Sequence, residues 1–190
     1  MTTPPYFYRV FGLTVFSEYE LPELETIDPL EKPDLRIILG ETPQELEGAT
    51  VHRPHLQIAP QSLLLRIRSA GGFWVRDGKE IILNPLPDAP PENVRLFLLG
   101  SAFGALLYQR GILPIHGSAL VHQGQAFILT GVTGAGKSTL AAALVHRGCK
   151  LLTDDVAAVT FDDIGTPWVQ PAYPQQKLWQ DSATALELST

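Results

Sequence analysis

The stretch "GVTGAGKSTLAAAL", residues 131–144, limits the choice of fold more than any other part of the chain. Gly131, Gly136, Lys137 and Ser138 stand at the fixed positions of the spacing G-x-x-x-x-G-K-[ST]. That spacing curls successive backbone N–H groups around phosphate and runs straight into a helix. Glycine permits positive φ and leaves room for oxygens beside the backbone. The helix start adds unpaired N–H groups and partial positive charge. Before the loop, "QAFILT" reads as a strand. After it, "KSTLAAALVHRG" reads as a helix stopped by Gly148, and "CKLLTDDVAAVT" as one strand or two short ones. Strand, loop, helix, strand is an α/β pattern. The predicted nucleotide-binding residues are Gly131, Thr133, Gly134, Ala135, Gly136, Lys137, Ser138 and Thr139. Lys137 would meet the β- and γ-phosphates, and the Ser138 hydroxyl would ligate Mg²⁺.

The remaining chain predicts a β-rich α+β region ahead of that domain. "YFYRVFGLTVF", "LRIIL" and "LLLRIR" are strand-like runs, and "GFWVRDGKEIIL" places Asp77-Gly78 where a hairpin turns. "PPENVRLFLLGSAFGALLYQRG" begins with proline, ends in glycine and is apolar around most of its circumference, which predicts a buried helix. The expected division is therefore a β-rich region over 1–90, a connecting helix over 91–111 and the loop-bearing domain over 112–190. Within the last, "HGSALVH" and "QAFILT" are two strands joined by a tight turn at Gln123-Gly124.

Composition narrows the function. An apolar fraction of 45% against 18% charged residues is globular rather than disordered. Twenty acidic against fourteen basic residues, a net charge of −6, lack the clustered cations of a nucleic-acid surface, so no nucleic-acid partner is expected. The longest apolar stretch, "LFLLGSAFGALL", is too short to span a bilayer, so no membrane partner is expected. The first residues lack the pattern of a signal peptide, which makes the cytoplasm the default location. A single cysteine, Cys149, allows no internal disulfide.

Two adjacent carboxylates, Asp154 and Asp155, follow the apolar pair "LL" after the helix. Beside a phosphate loop, an acid at a strand end completes a Mg²⁺ shell, and a second can accept a proton from an attacking hydroxyl. Taken alone, "DD" would be a turn or a helix cap. His116 lies fifteen residues before Gly131 and is a candidate for the same site. His122, His146 and the "HRPH" at 52–55 have no partners in sequence that would give them chemistry.

These residues together resemble bacterial HPr kinase/phosphorylase. The resemblance lies in "HG" before a strand, then "ILTGVTGAGKS", "RG" closing the helix, and "LLTDDV", over about residues 112–160. The whole chain is similar to a branch of HPr-kinase-like serine kinases, some of which accompany lasso peptide genes. "YRVFGLTVFSEYELPEL", "LFLLGSAFGALLYQRG" and "AYPQQKLWQDS" carry that wider likeness. It implies transfer of the γ-phosphate of ATP to a serine hydroxyl of a peptide or protein. Position by position, it implies Lys137 and Ser138 on the triphosphate and Mg²⁺, Asp154 as general base, Asp155 as metal ligand and His116 lining the site. A homo-oligomer is also implied, without any sign of it in the residues themselves. Lys177 and Trp179 would lie near the acceptor. Members of the family continue past "KLW", so the chain reads as shortened at its C-terminus. Phosphorolysis is not expected, because the segments it depends on are not found. The competing expectation is a nucleotide-responsive binding module without turnover, in which the β-rich half recognises a peptide or partner.

Overall fold

The computed structural model describes residues 5–132 and 134–172. The chain forms two units, Met1–Ile112 and Leu113–Thr190. Nine strands make the sheet of the first: β1 (Tyr6–Val10), β2 (Leu13–Ser17), β3 (Glu25–Thr26), β4 (Leu35–Leu39), β5 (Val51–Arg53), β6 (Leu56–Ala59), β7 (Ser62–Ile67), β8 (Gly71–Arg76) and β9 (Glu80–Pro85). Their spatial order is β3-β1-β2-β4-β9-β8-β7-β6-β5. The β2–β4 and β4–β9 pairs are parallel and the others antiparallel.

Alternation of side chains sorts residues between the faces. Phe73, Val75, Ile81 and Leu83 are fully buried. Trp74 points to the other face, where it packs against Leu46, Ala59 and Leu64 and donates its indole N–H to Ser62 Oγ at 2.8 Å. Asp77 and Gly78 both take positive φ, 55° and 59°, in the turn between β8 and β9. The predicted helix runs through α1 (Pro91–Phe97), a π-helical segment (Leu98–Ala102) and α2 (Phe103–Gln109). Leu98, Phe103 and Leu106 are completely buried, and α2 packs on β8. Phe103 meets Phe11 with ring centroids 6.0 Å apart. The helix read from sequence as a connector is thus a covering layer of the first unit.

The second unit carries β10 (Leu113–His116), β11 (Ser118–His122), β12 (Gln125–Leu129), α3 (Lys137–His146), β13 (Lys150–Thr153), β14 (Val156–Phe161) and β15 (Pro167–Gln170). Two three-stranded sheets result, β10-β14-β15 and β12-β11-β13, with every pair antiparallel. Gln123 and Gly124 form the tight turn between β11 and β12, at φ 50° and 79°.

This architecture overturns the expected α/β class, an HPr-kinase-like phosphate-loop domain behind a β-rich α+β region. Strand accounts for 42% and helix for 17% of the described residues, and only two helical stretches occur among them. The physical reason lies in pairing that sequence periodicity does not encode. The strands before and after the loop do not form a neighbouring parallel pair, because β11 lies between them and is antiparallel to both. A local strand–loop–helix–strand pattern was compatible with either arrangement. No helix among the described residues is long and apolar enough to cross a membrane.

Candidate functional site

Register brings the predicted chemistry to one end of one small sheet. Ser118, the first residue of β11, pairs with Leu129, the last of β12. Ala119 pairs with Thr153, the last residue of β13. The glycine loop leaves β12 directly after Leu129, and the two aspartates leave β13 directly after Thr153. Both therefore emerge at the same edge, with one strand between them. Strands stand about 4.8 Å apart, so the two exits are separated by about 10 Å.

The loop is open backbone. Gly131, Val132, Gly134, Ala135 and Gly136 are all exposed. Gly134 and Gly136 adopt φ of 83° and 80°, the left-handed region that glycine occupies without penalty. Gly136 caps α3, and Leu140 N–H donates to its carbonyl at 2.9 Å. No acid stands in the first turn of α3, so nothing of the helix's own opposes an anion there. Lys137 Nζ folds back to donate to the carbonyls of Gly131 at 2.9 Å and Val132 at 3.2 Å. Its ammonium therefore already lies over the loop. Ser138 and Thr139 are half-buried in the first helical turn. Thr133 lies outside the described residues, as do Lys177 and Trp179.

The acids sit where the chain passes from one sheet to the other. β10 continues through Gly117 into β11, while β13 continues through Asp154 and Asp155 into β14. The two crossings are stitched together. Gly117 N–H donates to Asp155 O at 3.0 Å, and the Ser118 hydroxyl donates to Asp154 Oδ1. Thr153 Oγ1 donates to Val156 O at 3.0 Å and tightens the turn. Gly117 is needed for close approach, since a Cβ there would lie 2.4 Å from Leu129 O.

The carboxylates consequently differ. Asp154 is 9% exposed and held by Ser118. Asp155 is more open, and its Oδ1 lies 3.3 Å from His116 Nδ1, a nitrogen also 3.0 Å from Asp155 O. His116 thus joins the acid pair, while its ring remains largely exposed. The family resemblance implies the proton-accepting role for Asp154, and the more buried position is the one it occupies. Mg²⁺ at phosphate sites takes few protein ligands and completes its shell with phosphate and water. Ser138 Oγ and one aspartate are the hard oxygen donors that suit it. Ser118 and Gly117 had no assigned role in the sequence reading. Their signal was a small polar residue at an inward strand position after "HG". His122 and His146 are exposed on a hairpin and at a helix end, apart from this corner.

Comparison with protein-family models, curated proteins and solved structures returns no match to this chain.

Proposed function

We propose that the second unit binds the triphosphate of ATP on the 131–139 loop and transfers the γ-phosphoryl group to a serine hydroxyl of a peptide or protein. One observation carries this reading: a loop of exposed amides, with a lysine over it, shares a sheet end with a pair of carboxylates. Loop N–H groups and Lys137 would offset charge on the β- and γ-oxygens. A bound Mg²⁺, held by Ser138 and Asp154, would neutralise the remainder. Asp154, fixed by Ser118, suits a role of constant position. Asp155, more open and oriented by His116, suits proton acceptance from the serine hydroxyl as the new O–P bond forms and ADP leaves. Such a base contributes roughly 10²–10⁴-fold. This assignment exchanges the roles that the family resemblance implies for the two aspartates. Use of ATP goes with a cytoplasmic setting.

A labelled-ATP assay against serine-bearing peptides tests it. Asp155→Asn is expected to keep nucleotide affinity within a few-fold and to lose transfer by 10² or more, on the order expected for a lost base. Full transfer by that variant contradicts the assignment. One observation favours a nucleotide-responsive module instead: the acid corner is also a structural stitch, through Ser118 and Gly117. Saturable nucleotide binding without a phosphorylated product from any serine peptide is the outcome that reading predicts.

A further inference from the structure

The first unit contains a cavity of about 810 Å³ at one end of its sheet, lined by residues from five different segments. That volume lies in the ordinary range for ligand sites, roughly 300–1,000 Å³. Its charged lining is one-signed. Arg66 and Arg68 supply it, beside the polar side chains of His55, Gln44 and Asn84, and no aspartate or glutamate contributes. In a chain of net charge −6 that is a local inversion. Glu41 and Glu45 lie beside the lining residues in sequence but are exposed outside the cavity.

Arg66 is the organiser. Its Nη2 donates to Pro43 O at 2.5 Å and also to Gln44 O, which ties down the loop after β4. Its backbone N–H donates to His55 O at 2.9 Å, which holds the turn between β5 and β6. Three walls of the cavity therefore meet on one residue, and its guanidinium is fixed before any ligand arrives. Arg68, two residues along the same strand direction, is exposed and makes no hydrogen bond or ion pair with any described residue. Apolar surface completes the lining, from Ile67, Pro54, Pro87 and Leu86, the last 46% exposed. A planar guanidinium pairs with carboxylate in a two-pronged geometry, whereas apolar walls of this extent favour a larger body than a lone anion.

We infer that this cavity binds an acidic, partly apolar peptide segment, with Arg68 as the carboxylate-recognising residue and Arg66 as the residue that positions the walls. The inference stands apart from phosphoryl transfer and does not require the glycine loop. Its test is fluorescence anisotropy on the full chain with a labelled, end-blocked hexapeptide of alternating glutamate and leucine. The same peptide with glutamine for glutamate, and glutarate as a competitor, complete the set. Saturable binding of the acidic peptide is expected, weakened about tenfold or more in Arg68→Gln, as for loss of a charge-assisted bond. The thermal midpoint of Arg68→Gln should match that of the parent, since the side chain is exposed. Lys137→Ala should bind the peptide as the parent does. Four results would each overturn the proposal: no binding by the parent, equal binding of the glutamine peptide, unchanged affinity in Arg68→Gln, or loss in Lys137→Ala. Displacement by glutarate at concentrations equal to those of the peptide would reduce the site to a small-anion site and overturn it as well.

Discussion

Single residues decide how tightly the first unit is closed. Asp34 accepts from both the hydroxyl and the amide of Thr14, at 2.7 and 2.9 Å, and so clips the start of β4 to β2. The hydroxyl bond, reinforced by the amide, holds its carboxyl below the usual carboxylate range. A depressed folded-state value means that the charged form stabilises the fold. That contribution is complete above the unfolded value, near ~4, and is lost as pH falls through the folded one. Acid titration of thermal stability should therefore show a decline below about pH 4 that is shallower in Asp34→Asn; identical slopes would contradict the clip. Tyr8 shows a different balance. Its ring is 1% exposed and its hydroxyl accepts the buried Leu21 N–H at 2.9 Å, while burial raises the phenol above its ordinary value. Neither contact was legible in sequence, because each joins positions more than a dozen residues apart through side-chain direction. An aromatic and β-branched run marked Tyr8 as a strand residue and said nothing of its hydroxyl.

Elements show where local reading succeeds. Asp77-Gly78 and Gln123-Gly124 announce their turns because both residues of such a turn need positive φ, a local demand. The helix ahead of Gly111 was equally readable from its apolar circumference, whereas its π-helical segment, Leu98–Ala102, left no mark. The glycine loop and the aspartate pair were found by spacing. Their shared sheet end was not, since it depends on β11 pairing with two strands at once. The corner at Gly117 holds that arrangement, and it makes a prediction at this scale. Gly117→Ala forces a methyl against Leu129 O and should separate β11 from the strand that launches the loop. We expect a cost of about 1–3 kcal/mol, as for overpacking, with weaker nucleotide binding in parallel. Thermal unfolding and nucleotide titration of the variant measure both, and a parent-like result in each would remove the corner from the account.

At the scale of the molecule, two units share one chain, and both are built mainly of strands. The α/β expectation failed because it extended one motif to a whole domain. Apolar and β-branched runs marked many of the strands but not β3, β5, β6 or β15, and long-range pairing decided that the sheets would be mixed or antiparallel. Beside that correction stands the placement of the residues themselves: amides and an ammonium after β12, carboxylates after β13, and a histidine at the end of β10 against the second carboxylate. The first unit adds a cationic cavity of its own. The most direct test of the central claim is calorimetric titration of the full chain with magnesium ATP. The account predicts saturable binding at one site per chain, abolished in Lys137→Ala, whose thermal midpoint should stay near that of the parent because the ammonium is held by the loop carbonyls of Gly131 and Val132 rather than by the core. Absence of binding by the parent chain, or undiminished binding by Lys137→Ala, would contradict it.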